Sequence, residues 1–228
     1  MISGHGVTEI TLEKLVSCIT SEPGVSGLPE KKIFNTAVRA LKAAEFFYKI
    51  RFLEITGISS AEILLESISI KSKIIAGLFN NTSAGGRALV FCVTLGNAFD
   101  EISLSESTDL TESFLFDIAG SCMLSYYLDR LSDNLKSDAG EIKRDLIFSK
   151  PVMPGSCGWD LEKGLGSLYD ELMPDDIFVH LKDGMMTPKK SMIGVFFESE
   201  ALRDVEPCGW CDRPGLCCKS RFRNKTGG

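Results

Sequence analysis

The sequence predicts an α+β fold, with an antiparallel or mixed sheet flanked by helices. Helical and strand-like segments are interspersed along the chain, and several strand-like segments are separated only by short turns. The composition is that of a globular protein, with 44% hydrophobic and 25% charged residues in a chain of 228. A chain of this length and composition buries one sizeable core and leaves room for a small appendage.

The first half of the chain divides into short elements with different apolar spacing. Helical spacing alternates with runs of β-branched and aromatic residues, and clusters of Pro, Gly and Ser separate some of them. The predicted elements are a helix at 11–19, a linker at 21–32, a helix at 34–45, strands at 46–55 and 63–70, a short helix at 71–79 and a buried strand at 88–96.

A long helix is predicted from Thr108 or Asp109, either of which can cap its N-terminus with Glu112 nearby. Its expected buried face carries residues three or four apart: Leu110, Phe114, Ile118, Cys122 and Ser125. This face is expected to be flanked by Leu115, Leu124, Leu128 and Leu131. The later predicted elements are a strand at 145–149, a helix at 161–173 and a closing pair of strands at 176–181 and 191–197.

Charge and cysteine content indicate the compartment and exclude some partners. The net charge of -6 disfavours nucleic acid as a partner, because phosphate binding needs a basic face. The first residues lack the pattern of a secretory signal, and no apolar run reaches the ~18 residues that span a bilayer, so we expect no membrane association. We therefore predict a cytoplasmic protein, in which core cysteines such as Cys92 and Cys122 remain free thiols.

Four of the eight cysteines lie near the C-terminus, at Cys208, Cys211, Cys217 and Cys218. A Cys-x2-Cys pair presents two thiolates to one metal ion, and a later cysteine adds a third ligand. Adjacent cysteines point apart in an extended chain, so a ligand from elsewhere is expected. Zinc, an iron–sulfur cluster and unligated redox thiols all remain open. The sequence contains only two histidines, and no nucleophile has an obvious partner base. We therefore identify no stand-alone catalytic site.

Three stretches, in this order, resemble one family. They are VFCVTLGNAFDEIS leading into DLTESFLFDIAGS, then MPGSCGWDLEKG with GMMTPKKSMIGVFF, then CGWCDRPGLCCKSRF. Together they resemble the activation (reactivation) domain of cobalamin-dependent methionine synthase, especially free-standing members with a C-terminal cysteine motif. The resemblance covers roughly 34–223. It implies an α+β domain with a bent antiparallel or mixed sheet and flanking helices. Together with the segments described above, the predicted organisation is an N-terminal helix and linker at 1–33, the main domain at 34–206 and a cysteine-rich tail at 207–228.

The resemblance also implies an accessory role in corrinoid-dependent methyl transfer. Domains of this family bind S-adenosylmethionine and present it to cobalamin, which a partner protein carries and an electron donor protein reduces. The implied partners are therefore a corrinoid protein or methyltransferase and an electron donor protein. Two alternatives remain open: a small iron–sulfur or thiol redox protein that uses the tail, and a non-catalytic interaction module that retains only the fold.

The family's binding fingerprint, Arg-x-x-x-Gly-Tyr, is altered in this chain. Aligned on Gly155, the arginine position holds Pro151 and the tyrosine position holds Ser156, and Lys150 is the nearby cation. Lysine meets a carboxylate as a point charge, whereas arginine forms a bidentate pair. The resemblance implies that residues 184–191 pack beside this loop, as a ligand site or as a surface hairpin with solvated lysines. The predicted ligand-binding residues are Lys150, Pro154, Gly155, Ser156, Trp159, Met186 and Lys189.

Cys157 stands where the family usually has glycine, in the loop that has lost the arginine and the tyrosine. We therefore expect Cys157 to be the further metal ligand that joins the tail cysteines. The predicted cofactors are S-adenosylmethionine, zinc or an iron–sulfur cluster in the tail, and cobalamin held by the partner protein.

Overall fold

A computed structural model describes residues 1–5, 10–79, 86–105, 109–137, 148–199 and 202. Six helices and eight strands occur in these ranges. In chain order they are β1 (Ile2–His5), α1 (Leu12–Ser21), α2 (Glu30–Ala43), β2 (Phe47–Ile58), β3 (Glu62–Leu65), β4 (Ser69–Lys71), α3 (Lys73–Gly77), β5 (Arg87–Thr94), α4 (Asn97–Ser105), α5 (Leu110–Ser137), α6 (Leu161–Leu172), β6 (His180–Lys182), β7 (Met185–Thr187) and β8 (Ser191–Phe197).

The main sheet has the strand order β4-β3-β2-β5-β8, and β1 pairs with β2 outside this path. β2 pairs antiparallel with β1 and with β3, and β3 pairs antiparallel with β4. β5 and β8 also run in opposite directions, since the Arg87 carbonyl accepts from Glu198 and the Lys190 carbonyl accepts from Leu95. β6 and β7 form a separate antiparallel pair.

Several predicted elements are confirmed by the structure. Thr11 caps α1 by accepting from the Lys14 amide, and Asp109 caps α5 by accepting from the amides of Thr111 and Glu112. Every residue of β5 after Arg87 is buried, as the continuous apolar run predicts. The helices at 71–79 and 161–173 occur as the shorter α3 and α6.

Two predictions about strands are wrong. The expected strand at 63–70 is divided into β3 and β4, which pair with each other. The segment at 176–181 does not pair with 191–197: Pro174–Ile177 forms a 3-10 turn, and the short β6 pairs with β7. Periodicity identifies extended segments, but the choice of partner depends on the tertiary contacts of each segment. The expected strand at 145–149 lies mostly outside the described residues, and its end, Phe148, forms a single bridge with Glu198.

The predicted buried face of α5 is also partly wrong. Leu110, Phe114 and Ser125 are exposed, with Leu110 at 83%. The buried residues of the helix are Leu115, Phe116, Ala119, Cys122, Met123, Leu124, Tyr127, Leu128 and Leu131, together with Gly120 and Ser132. Apolar residues occur on several sides of this helix, so the spacing is compatible with more than one buried face.

The chain separates into two compact units that alternate along the sequence. Unit 1 comprises Met1–Ile50, Cys92–Asp145 and Met173–Met192; unit 2 comprises Arg51–Phe91, Leu146–Leu172 and Ile193–Gly228. In unit 1, α1 and α2 pack against each other and against α5. In unit 2, aromatic pairs such as Phe79–Phe197 and Phe91–Phe196 pack in the core, with ring centroids 4.9 Å apart in each pair.

A disulfide joins Cys18 of α1 to Cys122 of α5, with their Cα atoms 6.1 Å apart. The prediction that Cys122 is a free core thiol is therefore wrong, because the tertiary structure brings it against a cysteine 104 residues away. Cys92 is a buried free thiol, as predicted. Within the described residues, no helix is both long and apolar enough to cross a membrane.

Candidate functional site

The loop that carries most of the predicted ligand-binding residues, Lys150–Asp160, begins at the edge of β8 in unit 2. Val152 and Val195 exchange two backbone hydrogen bonds of 2.9 Å each. A Cβ atom at Gly194 would lie 2.7 Å from the Val152 carbonyl oxygen, so glycine permits this close approach. The start of the loop is thus fixed to the sheet by backbone contacts.

The centre of the loop is a tight turn built from backbone hydrogen bonds. The Ser156 amide donates to the Met153 carbonyl over 3.1 Å, and the amides of Gly155 and Trp159 donate to the carbonyls of Trp159 and Ser156 over 2.9 Å each. Gly155 has a φ of 82°, a conformation that favours glycine. Its exposed backbone therefore allows a close approach by another molecule.

Trp159 connects the turn to α6 and is only 4% exposed. Asp160 caps the helix by accepting from the Lys163 amide over 2.8 Å. A Cβ atom at Gly164 would lie 2.7 Å from Trp159 Nε1, so the indole packs directly on the helix backbone. Trp159 therefore anchors the loop by burial, and its role in ligand binding stays a prediction.

Cys157, the predicted additional metal ligand, lies in the same turn and is 6% exposed. Its φ of 52° is in the left-handed region, which is uncommon for a residue with a side chain. Its carbonyl oxygen accepts a hydrogen bond from the Ser72 hydroxyl, which also caps α3. The tail cysteines Cys208, Cys211, Cys217 and Cys218 lie outside the described residues, so their joint site with Cys157 stays a prediction.

The exposed part of the loop is small and polar. Lys150 and Gly155 are exposed, and Pro154 and Ser156 are half-buried. The Ser156 hydroxyl lies within hydrogen-bond distance of the Met153 amide and carbonyl. Lys150 supplies an exposed cation at the start of the loop, and Gly155 supplies accessible backbone.

The remaining predicted ligand-binding residues, Met186 and Lys189, belong to unit 1. Met186 is half-buried in β7, while its neighbour Met185 is 69% exposed. Lys189 is exposed, and its backbone amide donates to Asp100 Oδ2 over 2.6 Å. The predicted set is therefore divided between the two units, with five residues in unit 2 and two in unit 1.

Lys190 and Ser191 are held by side chains of unit 1. Lys190 Nζ lies 2.7 Å from Asp117 Oδ1 and 3.0 Å from Ser121 Oγ. The buried Ser191 hydroxyl lies 2.7 Å from the Pro188 carbonyl oxygen and 2.8 Å from Thr94 Oγ1. Lys190 is therefore not a solvated lysine of a free surface hairpin, although Lys189 is exposed.

A cavity of about 540 Å³ lies in unit 1, away from the predicted residues. Its lining comes from α1 and the first residues of α2: Val16, Thr20, Glu30, Lys31, Ile33 and Phe34. Unit 1 also contains a cluster that the sequence did not predict, in which Cys18, Glu22 and Cys122 place one sulfur or carboxylate oxygen each within 4.8 Å of the others. The four-residue spacing of Cys18 and Glu22 indicates that these two side chains share a helix face. The sequence does not indicate that Cys122 joins them, because Cys122 is remote in sequence.

Comparison with known proteins supports the fold. No protein-family model and no curated protein matches the sequence. Among solved structures, the chain is similar to a crystal structure of the MetH reactivation domain bound to AdoHcy. The TM-score is 0.59 at 12% identity, over 90% of this chain and 80% of that chain. The protein has the fold of the MetH reactivation domain. The predicted fold class, α+β with an antiparallel sheet and flanking helices, is thereby confirmed. Fold alone does not establish ligand or activity.

Proposed function

We propose that this protein is an accessory protein of cobalamin-dependent methyl transfer that binds an S-adenosylmethionine-type ligand. The similarity in fold to a reactivation domain bound to AdoHcy carries this proposal. The order of the sequence stretches that resemble the same family agrees with it. The protein's role is to bind and present the ligand to a corrinoid protein rather than to carry a complete catalytic site of its own.

The loop at Lys150–Asp160 is the proposed binding element. A methionine-type carboxylate needs a cation and hydrogen-bond donors, and a glycine lets a ligand approach the backbone closely because it has no side chain. Lys150 is an exposed cation, and Gly155 offers exposed backbone without a side chain. Lys150 takes the place of the family's arginine as a point charge, so we expect weaker binding than a bidentate pair provides.

Met186 and Lys189 are proposed as a further contact surface in unit 1. Met185 and Lys189 are exposed, and Met186 is half-buried. Methionine side chains adapt to partners of different shape, and a cation attracts anionic groups. These properties suit contact with the corrinoid partner.

Calorimetric titration of the full-length protein with AdoHcy and with S-adenosylmethionine tests the binding role. We expect saturable binding that falls about tenfold or more in Lys150→Ala, since charge-assisted hydrogen bonds contribute about 1.5–3 kcal/mol. Lys163→Ala is the matched control, because Lys163 is an exposed lysine of the adjacent α6. In Pro151→Arg, which restores the family's arginine, we expect tighter binding than in the parent protein. Absence of binding to the parent at millimolar AdoHcy would overturn this part of the proposal.

The partner role requires a separate measurement. Sedimentation velocity with the cobalamin-loaded domain of a methionine synthase is expected to show a complex that weakens in a Met185→Asp/Lys189→Glu variant. Glu13→Lys changes an exposed charge on α1 and serves as the control. If no complex forms with either cob(II)alamin or methylcobalamin bound, docking on this class of corrinoid protein is wrong.

For the tail we propose a metal ion or cluster held by Cys208, Cys211 and either Cys217 or Cys218, with Cys157 as a further ligand. Thiolates suit zinc and iron–sulfur clusters alike. Iron with acid-labile sulfide in anaerobically purified protein would indicate electron delivery, whereas zinc that is lost when the four tail cysteines are replaced by serine would indicate a structural clip. Full metal content in Cys157→Ser would exclude Cys157 as a ligand, and a metal-free parent protein would contradict the tail site.

A further inference from the structure

α1 and α5 form an antiparallel contact within unit 1, and the disulfide lies at its centre. One turn before Cys18, Lys14 Nζ lies 5.6 Å from the centroid of the Tyr126 ring, and Tyr126 is one turn after Cys122. At the other end, a Cβ atom at Gly24 would lie 3.4 Å from the Phe114 ring. Residues four apart share a helix face, so the contact presents one thiol from each helix to the other.

A third group, the Glu22 carboxylate, faces the same point. Glu22 follows Cys18 by four residues and lies directly after the last residue of α1. One carboxylate oxygen and the two sulfurs all lie within 4.8 Å of one another. In a tetrahedral zinc site, with Zn–S bonds of about 2.3 Å and Zn–O bonds of about 2.1 Å, ligand atoms are about 3.5–3.8 Å apart. Small side-chain rotations therefore suffice to place the three groups around one ion.

The surroundings favour a cation that remains accessible from solvent. Cys122 is 5% exposed, Cys18 is half-buried and Glu22 is exposed, so the group is closed on the protein side and open on the other. Cys18 lies in the last turn of α1, which contains no basic residue, and the partial negative charge at a helix C-terminus attracts cations. The open side leaves a position for a water ligand.

We propose that Cys18, Cys122 and Glu22 form a redox-dependent site for a thiophilic divalent cation of the zinc type. When the disulfide is reduced, the two thiolates and the carboxylate bind the cation. A low-molecular-weight disulfide such as oxidised glutathione reverses this state. The thiolates lose two electrons and form the S–S bond, the small disulfide takes up those electrons with two protons to become two thiols, and the cation is released to water. Both states cross-link α1 to α5, and this site is independent of the proposed ligand loop and of the tail.

The test uses full-length protein in which the four tail cysteines are serine, so that the tail does not compete for metal. Burial raises the pKa of the Cys92 thiol to about 12, which keeps that residue neutral and a poor ligand. The protein is reduced without oxygen, stripped of metal and titrated with Zn²⁺ against a chromophoric chelator. We expect one equivalent to bind, and we expect that equivalent to be lost in Cys18→Ser and in Cys122→Ser.

The carboxylate and the redox step have their own readouts. Glu22→Gln is expected to weaken Zn²⁺ binding about tenfold or more, whereas Glu13→Gln, an exposed acid on the same helix, is expected to leave it unchanged. Oxidised glutathione is expected to release the equivalent and to lower the intact mass by about 2 Da. No binding to the reduced parent, or binding that survives replacement of both cysteines, would overturn the proposal. Equal affinity in Glu22→Gln and Glu13→Gln would remove Glu22 from the ligand set, and a glutathione adduct formed without Zn²⁺ release would contradict the switch.

Discussion

The loop Lys150–Asp160 and the segment Pro188–Ser191 are both candidates for ligand contact, but different kinds of interaction hold them. Backbone hydrogen bonds, positive φ angles at Gly155 and Gly158, and the burial of Trp159 define the loop. The segment in unit 1 has a backbone hydrogen bond from the Leu95 amide to the Lys190 carbonyl, but most of its contacts involve side chains: Lys190 contacts Asp117 and Ser121, and Ser191 contacts Thr94.

This difference determines how each region responds to substitution. The turn of the loop forms with Pro151 and Ser156 in place because its hydrogen bonds come mainly from the backbone. We therefore expect substitutions at these two positions to change the chemistry of the exposed surface more than the path of the chain. In the unit 1 segment, by contrast, a change in side chain removes a contact directly.

The largest expected effect is the loss of the buried indole. Trp159→Ala should lower the free energy of unfolding by about 3–5 kcal/mol, because it removes a large buried aromatic and leaves a cavity. Urea denaturation followed by circular dichroism measures this. Trp159→Phe should lower the free energy of unfolding clearly less than Trp159→Ala, since phenylalanine keeps an aromatic ring at the site. A cost below about 1 kcal/mol for the alanine variant would show that burial of Trp159 does not hold the loop.

The contact between Trp159 and the backbone of α6 gives the next effect. Gly164→Ala should lower the free energy of unfolding by about 1–3 kcal/mol, because the added methyl group collides with the indole. Gly166→Ala is the matched control in the same helix: a Cβ atom added there would have nothing within 4 Å, so this variant should stabilise the protein by about 0.4–1 kcal/mol. Similar values for both variants would refute the close packing of Trp159 on α6.

In the unit 1 segment, replacement of the buried Ser191 should have the largest effect on the free energy of unfolding. Ser191→Ala should lower the free energy of unfolding by about 1–3 kcal/mol, because it removes a buried hydroxyl that lies within hydrogen-bond distance of the Pro188 carbonyl oxygen and Thr94 Oγ1. Ser121→Ala, at an exposed hydroxyl, should cost less than half as much in the same denaturation experiment. An equal effect of the two serine variants would contradict the role given to burial here.

The smallest effect is expected for the ion pair. Asp117 is 68% exposed and Lys190 is 14% exposed, so solvent screens their attraction. A double-mutant cycle of Lys190→Met and Asp117→Asn should give a coupling free energy of about 0.5–1 kcal/mol, and high salt should reduce it. A coupling free energy of zero at low salt would show that the exposed pair does not stabilise the segment.

Local sequence patterns were sufficient to predict the secondary structure of much of the chain. Asp109 was recognisable as a helix cap, and the apolar run of β5 was recognisable as a buried strand, because a capping group and continuous burial are both evident within a few residues of sequence. The helix α4 and the strand β1 were not predicted, since neither contains a long periodic pattern. For the proposed ligand loop, the binding role of the residues stays a prediction, and the sequence did not show that Trp159 is buried.

By itself, the sequence determined the types of most elements and the α+β class, because these follow from periodicity, turn chemistry and motif order. Only the tertiary structure decided which face of α5 is buried, that β6 pairs with β7, and that Cys18 and Glu22 meet Cys122. The physical reason is that these features depend on contacts between distant segments. The two bonded cysteines are 104 residues apart, and local propensity carries no information about such a pair.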